Sequence, residues 1–300
     1  MTAHPSSDVF IRNIAIATDF SPWSDRATRH ALVVARQFGA VVHFLHAVRR
    51  SEFALVPDMM VELDALAQRD CDDLIARLRA VQELDSIGIR CWNVEGEISE
   101  VFGGFIQDHC IDLLVLGTRG RSGISKFLSG SVAQEIFRYV SCPVLTVGPS
   151  SRGATRQLVL NRVLFATDLS KESRAAIPYL LTTAKTWNAE IDVLHVCSSG
   201  NSDCRRLMEE FGRTIEDIAK QAGCPSIHCH MIPGTPSRAV LDFARQHSED
   251  LIVLGLDRHR SLYGGPSLSH AYEIVCQATC PVLSVRSGVA TAVSGCGSGH

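Results

Sequence analysis

No uninterrupted apolar run in this 300-residue chain approaches the roughly 20 residues that span a bilayer; stretches such as Leu113 to Leu116 stop far short. The opening residues, Met1 to Asp8, have neither a basic start nor an apolar core, so no secretory signal is expected, and the chain is placed in the cytoplasm. An excess of positive charge is missing too. Residues 1 to 150 carry 14 Lys and Arg against 18 Asp and Glu, and residues 151 to 300 carry 15 against 14, which excludes nucleic-acid binding through phosphates. The eleven cysteines contain no C-x-x-C, and an odd count in a long chain without a signal reads as buried thiols rather than a disulfide scaffold. Two phosphate-binding recipes are also absent. There is no G-x-x-x-x-G-K-[ST] and no G-x-G-x-x-G behind a strand, so neither a Walker-type NTPase nor a dinucleotide dehydrogenase is supported.

What the chain does contain is an internal repeat. Ala17-Thr18-Asp19-Phe20-Ser21 returns 149 positions later as Ala166-Thr167-Asp168-Leu169-Ser170, and His46 returns as His195. Leu113-Leu114-Val115-Leu116-Gly117 returns 138 positions later as Leu251-Ile252-Val253-Leu254-Gly255, and Cys142-Pro143-Val144-Leu145 as Cys280-Pro281-Val282-Leu283. Preserved order makes this a duplicated domain, with copies expected over 1–150 and 158–286 and a small, polar, disordered tail over 287–300. The 11 extra residues of the first copy fall in Arg49 to Met60, read as either a lid over a ligand or an inert insertion.

Within each copy, short apolar runs alternate with helical patterns, which predicts βαβ units and a parallel sheet covered on both faces. In the first copy the strands are expected at Asn13 to Thr18, Val41 to Val48, Ile89 to Val94, Leu113 to Gly117 and Val144 to Val147. Four helices lie between them. The first opens with Ser21 as N-cap and Pro22 at its first position, and the others run from Val61 to Leu84, Ser99 to His109 and Ser131 to Val140.

After the fourth strand comes Gly117-Thr118-Arg119-Gly120, then nine residues, then Gly130-Ser131 at a helix start. Glycines allow close backbone approach and the free N–H groups of a helix start attract anions, so this is the physical recipe for a phosphate cradle. Arg119, Arg121 and Lys126 add positive charge, and Ser131 a hydroxyl.

The spacing Gly117-x2-Gly120-x9-Gly130-Ser131 resembles the ATP-binding signature of the universal stress proteins, and the Thr18-Asp19 pair and the Cys-Pro-Val-Leu segments fit that family as well. The resemblance covers both copies and implies a tandem member. It implies two Rossmann-like α/β domains of the adenine nucleotide alpha hydrolase-like type, each a five-stranded parallel sheet of order 3-2-1-4-5, paired through their last strands as an intramolecular pseudo-dimer, with a further homodimer open. It also implies ATP, or ADP or AMP, with or without Mg²⁺, between strands one and four. By that resemblance Thr18, Asp19 and the backbone at Ala47 face the nucleoside, while Leu116, Gly117, Arg119, Gly120, Gly130, Ser131 and Val132 hold the ribose and phosphates. The implied role is regulatory, in the stress response and through an unidentified protein partner. The alternative is a slow ATPase or autophosphorylating enzyme, for which no catalytic residue is assigned.

The second copy departs from the signature: Arg258 replaces Gly120 and Leu268 replaces Gly130, while Asp168, Gly255 and Ser269 remain. ATP in the same pose is not expected there; the copy is read as architectural, with a different ligand left open by the displaced Gly264-Gly265-Pro266. His228-Cys229-His230 is read as packed or exposed side chains rather than a zinc site. The paired His46 and His195, at the ends of buried strands, are read as hydrogen-bonded histidines rather than catalytic bases.

Overall fold

The structure, a computed structural model, describes residues 9–20, 22–48, 57–80, 86–118, 140–151, 159–197, 202–224, 226–256 and 266–288. The described chain divides into two units, one from residue 11 to 151 and one from 159 to 288 that also takes Val9 and Phe10. Val9 is buried in this second unit, and its N–H donates to Thr182 Oγ1 at 3.0 Å, although it precedes the first copy in sequence.

The first unit runs β1 (Asn13–Ala17), α1 (Pro22–Phe38), β2 (Val41–Val48), α2 (Pro57–Ala80), β3 (Ile89–Glu95), α3 (Ile98–Asp108), β4 (Leu113–Gly117) and β5 (Val144–Val147). The second runs β6 (Arg162–Ala166), a 3-10 turn (Ser173–Ala176), α4 (Ile177–Trp187), β7 (Glu190–Cys197), α5 (Ser202–Ala222), β8 (Ile227–Pro233), α6 (Pro236–Gln246), β9 (Leu251–Leu256), α7 (Pro266–Gln277) and β10 (Val282–Arg286). All ladders within each unit are parallel. β1 lies between β2 and β4, with β3 and β5 outermost; β6 lies between β7 and β9, with β8 and β10 outermost. Such strands are buried on both faces, which is why they read as continuous apolar runs: β4 and β5 are buried at every position.

α1 begins at Pro22, whose missing N–H costs nothing there, and buries Ala27, Ala31 and Val34 before Gly39, at φ +65°, ends it. Asn188 takes the left-handed position after α4, at φ 52°. Each sheet is also fastened at the start of its central strand. Asp112 Oδ2 accepts the N–H groups of Arg12 at 2.7 Å and Asn13 at 2.9 Å, and Asp250 Oδ2 accepts those of Asn161 at 2.8 Å and Arg162 at 3.2 Å. Burial raises the Asp112 carboxyl above its ordinary range, and those two N–H groups oppose the shift.

Two expectations are corrected. α2 starts at Pro57, not Val61, so Asp58, Met59 and Met60 belong to a helix; residues 49–56 of the insertion, which precede it, lie outside the described residues. Cys71 on α2 and Cys91 on β3 form a disulfide, where reduced thiols were expected. Residues 131–139 of the expected Ser131 to Val140 helix, Pro149 to Gln157 beyond Ser151, and the tail after Gly288 also lie outside the described residues. Among the described residues, no helix is long and apolar enough to cross a membrane.

Candidate functional site

At the carboxyl end of β1 the chain turns sharply. Thr18 is buried; its Oγ1 accepts the N–H of Phe20 at 2.9 Å and donates to Ser24 Oγ at 3.2 Å, while Phe20 sits at φ +57°. A side chain with a Cβ rarely adopts that conformation, at a cost on the order of 1 kcal/mol, and the Thr18 hydroxyl holds the turn closed. His46, on β2, donates Nδ1–H to the Thr18 carbonyl at 2.9 Å, and its ring lies 5.1 Å from that of Phe20. Ala17 pairs with Leu116 across β1 and β4, so Thr18 and Gly117 follow side by side. Ala47 lies one strand over, paired with Val94.

The sheet thus brings Thr18, Asp19, Ala47, Leu116 and Gly117 to one edge, at the point where the connections from the central strands diverge and ligands of open α/β sheets bind. Asp19 is half-buried and Leu116 fully buried. Arg119, Gly120, Gly130, Ser131 and Val132, together with Arg121 and Lys126, lie outside the described residues.

The second copy repeats the turn bond for bond. Thr167 Oγ1 accepts the N–H of Leu169 at 3.0 Å, Leu169 sits at φ +64°, Thr167 and Ser173 share a hydroxyl hydrogen bond of 2.9 Å, and His195 Nδ1–H donates to the Thr167 carbonyl at 3.0 Å. Gly255, the counterpart of Gly117, is dictated by packing. A Cβ there would fall 2.3 Å from Ser173 Cα and 2.4 Å from its carbonyl oxygen.

Between the ends of β6 and β9 the second copy opens into a cavity of about 160 Å³, bounded by Asp168, Val196, Val240, Leu254 and His270 among others. The signals available in sequence were Val240 where copy one has Phe102, and His270 where copy one has Val132.

At the opposite, amino edge the copies diverge. Copy one packs a closed aromatic group: Trp92 Nε1–H donates to His43 Nδ1 at 3.2 Å, His43 Nε2 meets Asn13 Oδ1 at 3.3 Å, and Phe105 and His109 pack edge-on or tilted against them. Burial pushes His43 down to about 4, so it is neutral. Copy two fills the same positions with charge. Asp192 Oδ1 lies 2.6 Å from His230 Nε2, and its other oxygen is bonded by Arg162. Burial works against the charged form of Asp192, but His230 and Arg162 outweigh it and hold its carboxyl below the usual range. Glu249 is buried beside them; burial and the Asp192 charge push it up to about 8, and its Oε1 stands 3.5 Å from Arg162 Nε, beyond a good hydrogen bond. His230 is therefore committed to Asp192, while Cys229 packs against Gly212, where an added Cβ would come within 3.0 Å of its sulfur.

Both copies match the model of the universal stress protein family, over residues 11–148 and 160–286. A universal stress protein of Methanocaldococcus jannaschii is 29% identical over 138 residues, 45% of this chain and 81% of that protein. Universal stress protein A homolog 1 of Coxiella burnetii is 31% identical over 136 residues, 41% of this chain and 94% of that protein. Among solved structures, a universal stress protein from Archaeoglobus fulgidus superposes with a TM-score of 0.65 at 20% identity, covering 91% of this chain and 96% of its own.

Proposed function

The chain belongs to the universal stress protein family, and we propose that its first copy binds ATP, with Mg²⁺ accompanying the phosphates, as a regulatory signal rather than as a substrate for rapid turnover. The observation that carries this reading is the Thr18-Asp19-Phe20 turn set directly beside Gly117 and followed in sequence by the spaced Gly120 and Gly130-Ser131; the second copy has the same turn without those two glycines. The donor set fits a nucleoside. Asp19 can accept hydrogen bonds from ribose hydroxyls, Ala47 offers a backbone edge beside it, and the glycines with Arg119 and Ser131 supply what phosphates need: close backbone approach, charge and a hydroxyl.

A regulatory role is supported by what surrounds the turn. His109 packs among Trp92 and Phe105 at the opposite edge, and Asp19 is engaged by the nucleoside in this reading, so neither is positioned as a general base for phosphate chemistry. Nucleotide binding would then act through a protein partner that distinguishes the loaded chain. Asp19→Ala should weaken ATP binding roughly tenfold, the loss of one or two hydrogen bonds, and Asp168→Ala should leave it unchanged. Equal effects of the two substitutions would overturn the assignment to copy one.

A further inference from the structure

The disulfide between Cys71 on α2 and Cys91 on β3 has no counterpart at the same place in copy two. Strand register fixes the comparison. Cys91 pairs with Phe44 across β2 and β3, and Cys229 holds the equivalent place in copy two, opposite Val193. Cys229 is a free thiol, its sulfur packed against Gly212 of α5. Helix and outermost strand therefore pack in copy two without a covalent bond, and the bond of copy one is added to a layer that forms without it.

The two helices are held differently. Among the described residues α5 buries Met208, Phe211, Ile215 and Ala219, and Phe211 reaches the central strand, its ring 6.3 Å from that of Phe165. α2 buries Ala67, Cys71, Leu74 and Leu78, a smaller stripe with no aromatic ring. Less apolar area is removed from water, so packing alone holds α2 more weakly than α5. The bond offsets that difference. Joining residues 20 positions apart removes the open conformations in which α2 has left the sheet.

The two sulfurs also differ in access. Cys71 is 1% exposed, whereas Cys91 is half-buried on an outermost strand, so an incoming thiolate can attack the Cys91 sulfur and expel Cys71. Cys142, by contrast, is buried in the core, and burial pushes its thiol up to about 12, which leaves it inert at neutral pH.

We infer that Cys71 and Cys91 form a reversible redox switch, exchanged by small thiols and disulfides of the glutathione type, that sets how firmly α2 is held on the sheet of copy one. In reduction an external thiolate attacks Cys91 Sγ, the bond to Cys71 breaks, and Cys71 leaves as a thiolate. A second external thiolate attacks the outer sulfur of the mixed disulfide and frees Cys91. The two electrons come from the two external thiols, which end as one disulfide, and the protons they gave up end on Cys71 and Cys91. Oxidation reverses these steps. The switch does not require the ATP reading of copy one.

The test uses the full chain equilibrated in mixtures of reduced and oxidised glutathione, quenched with acid, alkylated and mapped by peptide mass spectrometry. Rising oxidised glutathione should convert Cys71 and Cys91 together from free thiols to a bond between them. In the oxidised chain the amides of residues 66–80 should exchange roughly tenfold more slowly, with those of 205–222 in α5 unchanged. Cys71→Ala should exchange like the reduced parent in both buffers. A bond that never forms, a bond that survives excess reduced glutathione in the folded chain, a bond from either cysteine to a different partner, or equal exchange of 66–80 in the two forms would overturn the proposal. If Cys71→Ala fails to fold, mapping and exchange of the parent chain still decide.

Discussion

His195 donates its Nδ1–H to the carbonyl oxygen of Thr167 at 3.0 Å, tying the carboxyl end of β7 to the turn that leaves β6. His46 and Thr18 repeat the tie in copy one at 2.9 Å. Removing the ring leaves a carbonyl short of a partner and a left-handed residue two positions on without its brace. His46→Ala and His195→Ala should each destabilise their own copy by about 1–2 kcal/mol in chemical denaturation. Only His46→Ala should also weaken ATP binding.

Glycine matters unequally along the chain. At Gly255 an added Cβ collides with the Ser173 backbone, which cannot move without opening the turn after β6. Gly255→Ala should cost about 3 kcal/mol or more, or prevent soluble expression of the folded chain. Gly104 is exposed within α3 and nothing lies within 4 Å of a Cβ built there. Gly104→Ala should stabilise by about 0.5–1 kcal/mol, the helix propensity difference. Thermal denaturation of the two variants side by side checks the contrast.

The charge cluster at the amino edge of copy two predicts a pH dependence. The folded pKa of Glu249 is raised to about 8 from an ordinary 4.5, so the folded state favours the neutral carboxyl. Its contribution is fully present below about 4.5 and is lost as pH rises through about 8. Asp192 has the opposite sign. Its lowered pKa contributes stability above the ordinary 3.8, which is lost as pH falls through the lower folded value. Between pH 5 and 9 the Glu249 effect therefore dominates, and the melting temperature of copy two should fall by several degrees as pH rises. Glu249→Gln keeps the shape without the charge and should flatten that decline. An equal decline in the variant would remove Glu249 as its cause.

The parallel strands were legible because burial on both faces writes them as unbroken apolar runs: Leu113–Gly117, Val41–Val48 and Val144–Val147 were read to the residue. The repeat supplied the domain plan, and Thr18, Asp19, Ala47, Leu116 and Gly117 were named as site residues through the resemblance to the universal stress proteins; the strands place them together at one edge of the sheet. The start of α2 was missed because Pro57 works equally well as a loop residue and as a helix opener. What stayed hidden was whatever needs side chains distant in sequence to meet. Arg162, Asp192, His230 and Glu249 span almost ninety positions and have no local spacing; Cys71 and Cys91 meet only once α2 lies over β3. The cavity of copy two depends on Val240 standing over strand ends set far earlier in the chain.

The central claim, that the intact copy alone takes the nucleoside triphosphate, is tested most directly by calorimetric titration of ATP with Mg²⁺ into the full chain. One site per chain is predicted. Gly120→Arg, which imports the residue of copy two, should abolish binding while the melting temperature stays within a few degrees of the parent. Two equivalent sites, or a single site indifferent to Gly120→Arg, would contradict the account.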